Sequence, residues 1–223
     1  MKRTKLSDRK LPDYTRAQEI TNMVTHIVGG GLGVIALVLC LEKCLRLNNA
    51  WGVLASMIYG GSMILLYAVS STYHGLLPGT AKKVMQVIDH CTIYFLISGS
   101  YTIVALCALR PVYPVLGYGI FLFEWAVTAL GVTLTAIDLK KYSVFSMVCY
   151  IGMGWAIFPF MAKTMEVLGK TGFWLLLWGG IAYTIGSILY GLGKKNKWMH
   201  SVFHIFVVIG SLLQFICVYF FAL

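Results

Sequence analysis

The sequence predicts an all-α polytopic membrane protein with seven transmembrane helices, and three observations carry that prediction. Of 223 residues, 59% are apolar and 12% charged, and the mean hydropathy is +0.80. A soluble domain carries about 25% charged residues, so too few polar side chains are present to cover a water-facing globule. Seven windows lack both Lys and Arg: 23–41, 51–73, 84–107, 115–137, 143–162, 172–193 and 198–221, each 19 to 24 residues long. About 20 helical residues cross a hydrocarbon layer roughly 30 Å thick, and helices satisfy their backbone groups internally there. Trp51, Tyr113, Tyr142, Trp174, Trp198 and Tyr219 mark window ends, as an interfacial aromatic belt does.

Taken in order, residues 1–18 form a basic tail and residues 19–223 one membrane domain. The tail holds Lys2, Arg3, Lys5, Arg9, Lys10 and Arg16. The first window is long and lacks a small-residue cleavage site, so it reads as an anchor rather than a cleaved signal. Its Gly29 and Gly33 form a GxxxG pattern that permits close helix approach. The second window runs into Ser70-Ser71-Thr72-Tyr73-His74, and the third opens on Asp89 and His90. The fourth carries Glu124 near its centre, where an ionised carboxylate costs about 2.5–3.5 kcal/mol or more. That side chain is therefore expected to be protonated or paired with a hydroxyl, Thr128 being one turn away. The fifth and sixth contain no ionisable acid or base, and the seventh opens on His200 and His204.

Orientation follows from the basic residues. Thirteen of them fall on the N-terminal side, in the tail and at Lys82, Lys83, Lys140, Lys141, Lys194, Lys195 and Lys197. Five fall opposite: Lys43, Arg46, Arg110, Lys163 and Lys170. The positive-inside rule then places the N-terminus in the cytoplasm and the C-terminus outside, opposite to a G-protein-coupled receptor. No window contains a lysine for a retinal Schiff base. The net charge of +10 sits in the tail and short loops, where it meets anionic lipid headgroups rather than nucleic acid. The six cysteines contain no CxxC pair and read as buried free thiols.

Ionisable groups in apolar spans are functional candidates. On this topology all five histidines, His26, His74, His90, His200 and His204, fall in the cytoplasmic leaflet. Ser70, His74, Asp89, His200 and His204 lie within roughly 10 Å of its boundary at about 1.5 Å rise per residue. His200 and His204 share one helical face, and Ser70 and His74 share another. Three imidazoles from two helices supply three legs of a tetrahedral zinc site and leave one position for water. Spacing and depth fit equally well with interfacial histidines bonded to carbonyls or water, the reading taken for His26 and His90. Ser70 has the further option of bonding back to its own helix.

The segments Glu19 to Asn22 with Thr25-His26, Ser70 to His74, Asp89 to Tyr94, Gly99 to Thr102, Gly152 to Trp155 and His200 to His204 resemble the bacterial hemolysin III family. That family is related to the progestin and adipoQ receptors (PAQR) and more distantly to alkaline ceramidases. The resemblance runs from about residue 17 to the C-terminus. It implies a seven-helix fold in the cell membrane with a zinc ion on the cytoplasmic side, held by His74, His200 and His204. It further implies that Asp89 holds the attacking water and that Ser70 sits beside the metal.

The chemistry expected from these residues is zinc-dependent hydrolysis of an amide or ester bond in a membrane lipid at the cytoplasmic leaflet. Asp89 would act as general base and acid, and Ser70 would hydrogen-bond the carbonyl or developing oxyanion. Two other readings use the same residues: a lipid- or membrane-state sensor with structural zinc, and a pore-forming or cytolytic protein. Tyr94, Tyr101, Thr102 and Trp155 are expected to pack and to hydrogen-bond.

Overall fold

The computed structural model describes residues 4–193 and 196–223; Lys2, Arg3, Lys194 and Lys195, counted above among the cytoplasmic charges, lie outside the described residues. Among the described residues the chain is all helical, with no strand. The helices are α1 (Arg16–Arg46), α2 (Ala50–Gly75), α3 (Thr80–Ile103), α4 (Pro114–Ile137), α5 (Ser143–Gly154), α6 (Met161–Leu192) and α7 (Trp198–Cys217). Six helical stretches are long and apolar enough to cross a membrane, the one at Ser143–Leu192 combining α5 with α6. This stretch covers the fifth and sixth predicted windows, and it is not straight. A turn and a short 3-10 helix at Phe158–Phe160 separate α5 from α6, and Gly169 interrupts α6 with φ 67° and ψ 170°. That left-handed conformation is one an L side chain rarely adopts.

Local signals set the helix ends. Thr15 and Gln18 form a capping box at α1: Gln18 N donates to Thr15 Oγ1 at 3.3 Å and Thr15 N to Gln18 Oε1 at 2.9 Å. Asn49 caps α2 through Gly52 N at 2.9 Å. Pro114 starts α4, where its missing N–H costs nothing. Beyond Ile103 the chain continues as a π-helical turn, Val104–Leu109, a geometry that inserts extra residues into a helix.

Packing reverses the pattern of a soluble bundle. The buried face of α1 is Gln18, Asn22, His26, Gly29, Gly33, Ala36, Cys40 and Cys44, a stripe of three- and four-residue steps. Ile20, Val24, Ile27, Val28 and Ile35 of the same helix are exposed, as apolar side chains facing acyl tails are. The GxxxG pair works as a contact: a Cβ at Gly33 would sit 3.1 Å from Ile64 N, and one at Gly29 would run into the Tyr67 ring. All six cysteines are free thiols, so the bundle is held by packing and polar contacts rather than by disulfides.

The expected pairing of Glu124 with Thr128 does not form. Glu124 is fully buried and both carboxyl oxygens lack a hydrogen-bond partner. Thr128 Oγ1 instead pairs with Ser98 Oγ of α3 at 2.5 Å, because the neighbouring helix offers a hydroxyl at closer range. Of the third-helix residues expected to hydrogen-bond, Tyr101 and Thr102 do, while the buried Tyr94 hydroxyl has no partner among the described residues. Tyr101 OH donates to Gly154 O at 3.0 Å and accepts from Ile157 N at 3.2 Å, bridging the break after α5. Trp125 Nε1 donates to Thr102 Oγ1 at 2.9 Å and Trp155 Nε1 to Thr184 Oγ1 at 3.1 Å.

Candidate metal centre

The packing of α1 and α2 against α7 brings together side chains that are far apart in sequence. His74 closes α2, and His200 and His204 occupy successive turns of α7. All three are buried, and one nitrogen from each lies within 4.8 Å of the other two. His200 Nε2 and His204 Nε2 are 3.1 Å apart, at which distance one ring donates to the other or both face a shared cation. Two nitrogens bound at about 2.0–2.1 Å in a tetrahedral zinc shell lie about 3.3 Å apart. The His74 ring centroid is 5.4 Å from that of His200 and 5.0 Å from that of His204.

His74 Nε2 is the informative atom. It is buried without a hydrogen-bond partner, while Nδ1 of the same ring is 2.6 Å from Glu19 Oε2. Orphaned buried polar atoms are costly and rare. A lone pair with no donor, on a ring packed beside two further imidazoles, fits a cation. The donor set is three neutral-capable nitrogens, which suits zinc and other borderline divalent metals. The residues therefore form a group that can hold a metal ion.

Asp89 and Ser70 complete the arrangement. Both line a cavity of about 510 Å³, together with His26, His200 and His204. Away from this polar end the walls are apolar, with Leu96, Val104, Phe173, Leu176 and Val207 contributing. One cavity thus joins polar, titratable residues to a mainly apolar chamber.

The other two histidines part company. His90 Nδ1 bonds Gln86 O at 2.8 Å and Nε2 lies 3.3 Å from Tyr190 OH, the ordinary interfacial role expected of it. The carbonyl bond expected of His26 is absent, since neither ring nitrogen has a partner in the described residues. Its ring instead stacks on His204, with centroids 3.8 Å apart and planes 22° from parallel. The helix face that carries it looks inward at α7, where rings are nearer than carbonyls.

Sequence reasoning gave no role to Tyr14, Glu19 or Lys82. Tyr14 stacks on His200 at 5.1 Å and 18°, and burial pushes its phenol pKa up. It ends a tail segment strapped across this end of the bundle: Lys83 Nζ donates to Ser7 O at 2.7 Å and Arg9 Nη2 to Gln86 Oε1 at 3.0 Å. The strap is anchored at Asp138, whose Oδ2 accepts from Thr4 N at 2.7 Å and whose Oδ1 accepts from Lys140 N and Lys141 N, each at 3.1 Å. The Thr4 bond foremost, with the loop N–H groups, holds the Asp138 pKa down at about 2. A carboxyl lowered this way contributes to docking above its ordinary pKa of about 3.9, and the contribution is lost as pH falls through the folded value. Hydrogen-exchange protection at residues 4–10, corrected for intrinsic rate, is accordingly expected to hold at about pH 5 and to fall between about pH 4 and pH 2. Asp138→Asn is expected to lower it at every pH.

A family model described as Haemolysin-III related matches residues 14–215. The chain belongs to the haemolysin-III family. Among its relatives, the Hemolysin-3 homolog of Bacillus subtilis (strain 168) is 33% identical over 208 residues, covering 93% of this chain and 96% of the relative. Hemolysin-3 of Bacillus cereus is 35% identical over 206 residues, covering 92% of each. Together with the apolar helices, membership makes this a multi-pass membrane protein. Tyr14, Glu19, Ser70, His74, Asp89, His200 and His204 all fall inside the stretch that matches the haemolysin-III family.

Proposed function

We propose that this haemolysin-III protein is a zinc-dependent hydrolase of the cell membrane that cleaves an amide or ester bond of a membrane lipid at the cytoplasmic leaflet. In this reading the chain crosses seven times, the stretch at Ser143–Leu192 turning back at Gly169, with the N-terminus in the cytoplasm and the C-terminus outside. The breaks in that stretch and the thirteen-to-five distribution of basic residues support it. A straight 50-residue helix would reach about 75 Å, well over twice the hydrocarbon thickness.

The observation that carries the chemistry is the buried imidazole triad, two members of which, His200 and His204, line a mainly apolar cavity. His74, His200 and His204 would hold the zinc, which would supply Lewis acidity and a water molecule acidified to a pKa of about 7. Asp89 accepts the proton of that water and returns it to the departing amine or alcohol. Ser70 donates a hydrogen bond to the carbonyl oxygen as negative charge develops on it. The apolar walls receive the acyl chain, and the Tyr14 strap limits entry of bulk water from the cytoplasm.

The name hemolysin-3 borne by the relatives favours a second reading, a cytolytic or pore-forming protein. Purified protein in liposomes loaded with dye and labelled lipid separates the readings. Release of fatty acid that stops on chelation and returns with zinc is expected. Dye leakage indifferent to chelator supports the pore, and bound zinc with neither event supports a membrane-state sensor in which zinc is structural.

A further inference from the structure

Near the triad, the group left unexplained is a buried ion pair. Glu19 of α1 touches His74 Nδ1 with Oε2 at 2.6 Å and Lys82 Nζ of α3 with Oε1 at 2.7 Å. Lys82 is 3% exposed, a rare placement for a lysine. Besides Glu19 its ammonium reaches Leu76 O at 2.9 Å and His74 O at 3.5 Å, the carbonyls at the end of α2. It also lies 5.2 Å from the centroid of the Tyr73 ring. Asn22 Nδ2 lies 3.4 Å from the same His74 nitrogen.

A carboxylate paired with an ammonium accepts hydrogen bonds and donates none. His74 Nδ1 therefore carries the ring proton and donates a hydrogen bond to Glu19 Oε2, which leaves Nε2 as the lone-pair nitrogen. Nε2 is the atom buried without a partner beside His200 and His204. A carboxylate behind a ligating imidazole fixes its tautomer and ring orientation and raises its basicity. Packing alone does not demand this: a buried ion pair contributes little net stability over apolar residues of similar volume.

We infer that Glu19 is a positioning residue that turns His74 Nε2 into a metal donor, and that Lys82 holds Glu19 in place. The inference rests on the metal-site reading above and extends it to α1 and α3, so that three helices set the geometry of one nitrogen. Neither Glu19 nor Lys82 touches substrate or metal.

The test uses full-length protein in detergent, stripped with chelator and titrated with cobalt(II), whose visible absorption reports ligand number and geometry, and with zinc against a competing chelator. Glu19→Gln keeps the shape but removes the charge behind the ring. It is expected to weaken zinc binding about 10–100-fold and to alter the cobalt band. The double variant Glu19→Gln/Lys82→Met leaves no unpaired buried charge, guarding against a folding defect. It is expected to show the same weakening while the metal-free protein melts within a few degrees of wild type. Wild-type affinity and an unchanged cobalt band in both variants would overturn the role of Glu19 while leaving the triad intact. If wild type takes up neither metal, the triad reading and this inference fall together.

Discussion

Protein carrying His200→Ala together with His204→Ala is expected to purify with no stoichiometric metal, where wild type retains about one zinc per chain. Two of the three nitrogens belong to these residues, and both side chains face the same interior point from one helix. A lone imidazole at His74 does not hold zinc against millimolar chelator, because affinity in such sites comes from several ligands converging on a prepared position. His90→Ala is the control: its ring bonds Gln86 O and lies beside Tyr190 OH, so its zinc content is expected to equal wild type. Loss of the ion also removes a tie between α2 and α7. Anything bound only by the folded state adds to stability by mass action, so the double variant should melt lower than wild type in zinc and equally in chelator. Elemental analysis together with melting curves checks both halves. Equal zinc in wild type and the double variant would refute ligation by this triad.

The triad was legible in the sequence because helix periodicity converts a four-residue spacing into a face. Ser70 with His74 and His200 with His204 could be assigned to faces and depths without knowing which helices touch. Apolar windows put residue 74 and residue 200 at the same level although 126 positions separate them in the chain, and the resemblance to the hemolysin III family then singled out these three histidines. Glu19 shows where such reasoning stops. Its partner His74 is 55 positions away and its second partner Lys82 lies on another helix. A lone acid at the edge of a basic tail reads as a solvated charge until α1 is packed on α2. Of the two states expected for Glu124, protonated or paired with a hydroxyl, the pairing with Thr128 does not form, because Thr128 has a partner in Ser98 across the interface. The break near residues 155–160 and the left-handed Gly169 carry no hydropathy signal, because a charge-free window is blind to φ and ψ.

Asp89→Asn is expected to keep its zinc and lose its catalysis, a combination that distinguishes a proton carrier from a ligand. Asp89 is not among the three converging residues, yet it lines the same cavity as His200, His204 and Ser70. Asparagine has nearly the same shape and still hydrogen-bonds, but its amide does not accept a proton from water near neutral pH. Removing a positioned acid–base group costs typically about 10²–10⁴ in rate, so fatty-acid release should fall by that factor at unaltered metal content. Ser70→Ala removes a donor aimed at developing charge and is expected to cost roughly 10²–10³, with most of the loss in kcat rather than KM, because the bond strengthens only as the carbonyl oxygen becomes an oxyanion. The two residues line one cavity and are assigned to the same step, so their effects should combine to less than the product of the single losses. Single-turnover release from labelled lipid, measured for both single variants and for the pair, checks this. An Asp89→Asn protein that cleaves its lipid at the wild-type rate would remove Asp89 from proton transfer.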